Sequence, residues 1–196
     1  MKHTRILFLI ALFSAAAVGL PSLRGATITV INTNDNGPGS LRAAIDSAQD
    51  GDTIRFDVSA TGTITLTSGE VLVNKSITIS GPGANTLAVD GSHASRVFYI
   101  AAGKDVTISG LTISNGKVIS DFGGGIYNDN ATLTLSSCTI SGNSIDFGVG
   151  GGIYNDGVDG SATLTVSNCT ISGNAAYLAG GIYNWVGNRD GHQQHS

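Results

Sequence analysis

Basic residues are what this sequence has least of where it is most regular: after Lys117 the only lysine or arginine is Arg189. Only 12% of the 196 residues are charged. With an N-terminal leader ending at Gly25 set aside, seven basic residues stand against fourteen acidic ones, a net charge of −7. Nucleic acid and anionic lipid both need clustered Lys and Arg to displace counterions, so neither is a partner. The shortage of charge does not signal disorder, because 41% of the residues are hydrophobic. They are mainly Ile, Val and Leu set among Thr and Ser, which suits pleated strands and leaves little helix. Cysteine is scarce too. Cys138 and Cys169 occupy equivalent positions of a repeat, about 4.8 Å apart if their strands are neighbours in register. Side chains in register point the same way, which suits a disulfide dihedral poorly, so stacked buried thiols are expected over a bridge.

What is present begins with a leader. Lys2, His3 and Arg5 precede an apolar run from Ile6 to Leu20 that contains the small residues Ala15 to Ala17 and Gly19. The run is too short to span comfortably and no stop-transfer pattern follows, so residues 1–25 read as a secretory signal peptide and the mature chain as exported. Ser40 then caps a short helix over Leu41 to Gln49, with Leu41, Ala44, Ile45 and Ala48 on one face. Residues 26–51 thus form an N-terminal strand and capping helix. Residues 52–186 form the body, and 187–196 a polar tail.

The body repeats itself. Gly-Gly-Ile-Tyr-Asn occurs at 124–128, 151–155 and 180–184. The first two copies are followed by Ala131-Thr-Leu-Thr-Leu-Ser-Ser-Cys-Thr-Ile-Ser-Gly-Asn143 and Ala162-Thr-Leu-Thr-Val-Ser-Asn-Cys-Thr-Ile-Ser-Gly-Asn174. Repeats of this period cannot bury their apolar faces alone and stack to do so. Strands that recur once per turn of a coil lie parallel to their neighbours. The expected fold is therefore all-β, a right-handed parallel β-helix of five to six coils with a short α-helical cap.

Alternation assigns the faces. Ile126, Ile153 and Ile182 point inward as an aliphatic ladder, and Asn128, Asn155 and Asn184 stack at a bend, as do Asn143 and Asn174. Tyr127, Tyr154 and Tyr183 form an outward stripe with Trp185 beside it, either a sugar-binding surface or a ladder stacked for stability. The glycines before each Ile mark a bend with positive φ or close coil approach. With no following helix or Lys they are not a phosphate loop.

Asn143 or Asn174, a short spacer and Gly-Gly-Ile resemble the repeats of the polymorphic outer-membrane protein family, which carry Phe-x-x-Asn and Gly-Gly-Ala-Ile. Here Ile140 and Ile171 stand where Phe is usual, and Gly125, Gly152 or Gly181 where Ala is. Ser40-Leu-Arg-Ala-Ala-Ile45 is similar to the Ser-Leu-Arg-Glu-Ala-Ile opening of exported bacterial β-helix proteins. The resemblance implies a pectate-lyase-like solenoid displayed at the cell surface, adhesin-like, with more coils and an anchor in most members. Here the third copy breaks off after Trp185 into a polar run, which suggests a truncated array with a frayed last coil.

No catalytic constellation emerges. A lyase needs a basic residue beside acids that hold Ca²⁺, but Lys117 and Arg189 only flank the regular repeats. Asp129 and Asp156 are repeat equivalents at a turn, near Asp121, Asp146 and Asp159 in loops, and read as solvated. His192-Gln-Gln-His195 has a metal spacing but no third ligand. The expectation is a monomeric, non-catalytic surface module without cofactor or metal, whose partners are surface glycans or proteins. The alternative is a carbohydrate-binding or polysaccharide-degrading fragment that uses the tyrosine stripe with nearby aspartates.

Overall fold

The computed structural model describes residues 25–158 and 162–187. The signal-peptide reading, Asp159 and His192-Gln-Gln-His195 fall outside them. Strand β1 (Thr27–Val30) and helix α1 (Leu41–Ser47) come first. Five coils follow. The first holds β2 (Thr53–Phe56), β3 (Gly62–Thr65) and β4 (Val71–Val73), and the second β5 (Thr78–Ser80), β6 (Leu87–Asp90) and β7 (Phe98–Ile100). The third holds β8 (Asp105–Ser109), β9 (Thr112–Ser114), the two-residue β10 (Lys117–Val118) and β11 (Ile126–Asp129). The fourth holds β12 (Thr132–Ser136), β13 (Thr139–Ser141), β14 (Ser144–Ile145) and β15 (Ile153–Val158). The last holds β16 (Thr163–Ser167), β17 (Thr170–Ser172) and β18 (Ile182–Gly187).

Every pairing among these strands is parallel. Sheet A is β1-β2-β5-β8-β12-β16, sheet B is β3-β6-β9-β13-β17 and sheet C is β4-β7-β11-β15-β18. With β1 counted, the solenoid makes about six turns, a parallel β-helix with one short helix among the described residues. Register is kept because one slipped residue would turn each apolar file outward. Ile28, Ile54, Ile79, Ile108, Leu135 and Val166 oppose one another down sheet A. Ile64, Val89, Ile113, Ile140 and Ile171 do so down sheet B.

In the last three coils the corner from sheet A to sheet B is made by one left-handed residue each, Gly110, Ser137 and Asn168, at φ +60°, +53° and +53°. Gly125 serves a different need. A Cβ there would sit 2.5 Å from the Gly152 carbonyl oxygen of the next coil, so only glycine allows that approach.

At the N-terminal end the Ser40 hydroxyl accepts from the Ala43 N–H at 3.2 Å and caps α1. Leu41, Ala44 and Ile45 are buried in the same apolar cluster as Val30 and Ile54, so α1 covers the end of the core. The helix is shorter than the periodicity suggests: Ala48 is already extended, at φ −66° and ψ 153°, and closes the C-terminus through its N–H. Cys138 and Cys169 are both free thiols, and the Cys138 N–H points at Cys169 Sγ, 3.3 Å away.

Candidate functional site

Sheet C carries the residues with the most chemistry, and its files show how. The inward file Val71–Phe98–Ile126–Ile153–Ile182 is aliphatic and aromatic throughout. The second inward file changes character part-way: Val73 and Ile100 are followed by Asn128, Asn155 and Asn184. Asn128 Nδ2 donates to Asn155 Oδ1 at 2.6 Å and to the Ala131 carbonyl at 2.9 Å. Asn155 Nδ2 donates to Asn184 Oδ1 at 2.6 Å. Asn128 and Asn155 thus lie inside the strands rather than at a bend, while the Asn128 amide reaches the corner. Asn128 Oδ1 has no partner, because the file ahead of it is Ile100. Asn143 does sit at a bend: its Nδ2 donates to Asn174 Oδ1 and to the Ile113 carbonyl, and its Oδ1 accepts from the Gly116 N–H.

The outward file of sheet C is Leu72, Tyr99, Tyr127, Tyr154 and Tyr183. It is not the open stripe that alternation alone implies. Tyr154 is only 5% exposed, with Phe122 stacked on it at 4.5 Å and Tyr183 at 5.7 Å. Tyr127 packs edge-on against Tyr99, Tyr154 and Phe122. The loops that join sheet B to sheet C fold back over this file. Trp185 stands in register with Asp156, one file along from the tyrosines.

Asp129 and Asp156 are likewise not merely solvated turn residues. Tyr99 donates its hydroxyl to Asp129 at 2.6 Å and Tyr127 to Asp156 at 2.7 Å, each reaching one coil onward. Trp185 fills the next place in that acidic file, so Tyr154 has no equivalent carboxylate ahead of it. Burial first, then the Asp129 hydrogen bond and charge, push the Tyr99 phenol up to about 12. Burial and Asp156 raise Tyr127 further, and burial with the nearby Asp156 charge raises Tyr154.

At the edge of this face lies Arg96, 3% exposed. Its Nη1 bonds Glu70 Oε2 at 2.8 Å and its Nη2 bonds Asp121 Oδ2 at 2.6 Å. Nε and Nη2 also donate to the carbonyls of Phe122 and Gly123. The guanidinium lies over the rings of Tyr127 and Tyr99, at 5.1 and 5.7 Å. One side chain therefore ties three coils together. Above it opens a cleft of about 680 Å³, lined by Glu70, His93, Ser95, Arg96, Lys117, Asp121 and Asp146 among others. Lys117 bonds Asp146 at 3.1 Å across the two-stranded β10–β14 ladder.

Beside the cleft the same loops expose an apolar ridge. Phe147 is 76% exposed and Ile119 65%, joined by the Phe147 N–H to the Ile119 carbonyl at 2.8 Å. Tyr177, 81% exposed, follows on the next coil, its N–H bonded to the Gly148 carbonyl.

Tyr99, Arg96, Glu70 and the Phe147 ridge escape a reading of the repeat, since they lie in irregular coils or in its variable loops. Tyr99 left one trace: Phe98-Tyr99-Ile100 stands 28 residues ahead of Ile126-Tyr127-Asn128 with the same alternation. Among the described residues no His, Cys, Asp and Glu group is placed to hold a metal, and no helix is long and apolar enough to cross a membrane. Compared with known proteins, the chain matches no family model, no curated protein and no solved structure. Its function is read from this flank of the β-helix.

Proposed function

We propose that this chain is a non-catalytic module, exported by its N-terminal leader and displayed at the cell surface, that holds partners against the loop-bearing flank of a rigid β-helix. One observation carries the reading. Every lysine and arginine lining the cleft is committed to a carboxylate, Arg96 to Glu70 and Asp121, Lys117 to Asp146. The Tyr99 and Tyr127 hydroxyls are committed to Asp129 and Asp156. Acid–base chemistry needs a group at liberty to move a proton at the reacting atom, and the cations of this flank are spent on holding it together. The exposed Ile119–Phe147–Tyr177 ridge is a contact surface instead. The likeness of the Gly-Gly-Ile repeats to polymorphic outer-membrane protein repeats and the basic-then-apolar leader support display outside the cell.

The second reading is polysaccharide cleavage, favoured by the convergence of Glu70 and Asp121 on one guanidinium. Purified protein incubated with insoluble polysaccharides separates the two. We expect binding without release of reducing ends. Cleavage that survives repurification and vanishes in Glu70→Gln or Asp121→Asn would replace the first reading with the second. Export is checked by fusing residues 1–25 to a periplasmic reporter; a fusion retained in the cytoplasm sinks that part of the proposal.

A further inference from the structure

We infer that the cleft between the stacked loops of the first four coils binds a segment of neutral glycan, with Ile119 in its lining and the exposed Phe147 beside it. The inference rests on the surface-module reading and names the ligand class of that site. At about 680 Å³ the cleft has the size of a small-ligand site, large enough for a few sugar rings.

Its walls supply both kinds of contact a sugar needs. Glu70 Oε2 and Asp121 Oδ2 are held by Arg96, which fixes both carboxylates and leaves the other oxygen of each to accept from hydroxyls. Lys117, on the same loop as Asp121, and Asp146, on the loop of the next coil, are paired at 3.1 Å and add a donor and an acceptor. Phe147, 76% exposed, follows the cleft-lining Asp146 and is hydrogen-bonded through its backbone to the cleft-lining Ile119, so an aromatic ring stands beside the cleft for the C–H side of a pyranose.

Charge selects the class. Glu70, Asp121 and Asp146 outnumber Arg96 and Lys117 by one, and the guanidinium is buried beneath its carboxylates. A uronate or sulfated chain would meet carboxylates at the mouth and find Arg96 and Lys117 already paired. A neutral chain carries no charge for those carboxylates to repel. Tyr127 and Tyr154 take no direct part; they are the floor that holds Arg96 and Phe122 in place, with Tyr183 stacked on Tyr154.

The test is calorimetric titration of the full chain with neutral hexasaccharides, namely gluco-, manno- and xylo-oligomers, and with a hexagalacturonate of the same length. At least one neutral oligomer is expected to bind, with the galacturonate weaker by tenfold or more. Phe147→Ala and Ile119→Ser, both at exposed positions, should each weaken that binding about tenfold with an unchanged melting temperature. Absence of binding by every neutral oligomer, preference for the galacturonate, or affinity untouched by either substitution each overturns the inference. Whole-cell adhesion by the same protein keeps the two proposals apart: adhesion without glycan binding leaves the surface module standing and removes this site, whereas glycan binding with cleavage keeps the site and removes the non-catalytic reading.

Discussion

Tyr127 and Asp156 belong to different coils, yet the Tyr127 hydroxyl donates to Asp156 Oδ2 at 2.7 Å, along the same diagonal by which Tyr99 reaches Asp129. The second Asp156 oxygen, Oδ1, is buried without a partner, so this carboxylate depends on the phenol. Tyr127→Phe should therefore lower stability by about 1–3 kcal/mol, the cost of leaving a buried acceptor unpaired. Tyr154→Phe should cost less, since Trp185 stands where its carboxylate would be. Urea midpoints of the two variants check the order; equal losses would remove the diagonal bond as the cause.

The same bonds set the alkaline limit. Tyr99, Tyr127 and Tyr154 have phenols raised above the ordinary value, chiefly by burial and then by the neighbouring aspartates. A group whose folded pKa is raised contributes stability that is whole below its unfolded pKa, about 10 for tyrosine, and is lost as pH climbs toward the folded value. Unfolding free energy should be flat in this respect between pH 7 and 9 and fall from about pH 10 upward. Phenolate absorbance should rise together with unfolding, not ahead of it, for these three rings.

Arg96 should be the costliest surface-loop residue to replace. Arg96→Ala orphans the Phe122 and Gly123 carbonyls and frees Glu70 and Asp121, for a loss of about 3 kcal/mol. Arg96→Lys keeps the charge but not the planar fork and should recover only part of that. Asp121→Asn alone, at a half-exposed carboxylate, should cost under about 1 kcal/mol. Thermal melts of the three variants give the ranking, and a Lys variant as stable as wild type would show that charge alone suffices.

The asparagine ladder predicts a gradient. Asn155→Ala removes an amide that accepts from Asn128 and donates to Asn184, so it should cost about 2 kcal/mol or more. Asn184→Ala, on the exposed last rung, should cost less than half as much. Chemical denaturation of both variants reads this directly.

The two thiols should differ in reactivity. Cys138 is buried, which raises its thiol pKa, whereas Cys169 is only half-buried in the last coil. Maleimide labelling followed by peptide mass mapping should modify Cys169 first and Cys138 only on unfolding. Equal rates would show that the last two coils open together.

Much of this molecule is legible one residue at a time because a solenoid makes spatial neighbours out of equivalent sequence positions. Strand identity and the register of Ile126 on Ile153 on Ile182 follow from a repeat period and an alternation of two, both written in the chain. The short α1 cap could be placed for the same reason: its signals, Ser40 and the Leu41–Ile45 face, are local.

The chemistry of the flank is of the other kind. Whether Tyr154 is bare or roofed depends on how the 117–123 and 144–150 loops fold back, and no periodicity governs them. Arg96, Glu70 and Asp121 are separated by 25 and 26 residues and meet only because three coils stack. Sequence by itself determined the cylinder, since each apolar file has one face on which it can be buried. Only the tertiary structure decided which outward residues are spent on one another and which remain open, because that depends on what lies across from each side chain rather than on what precedes it.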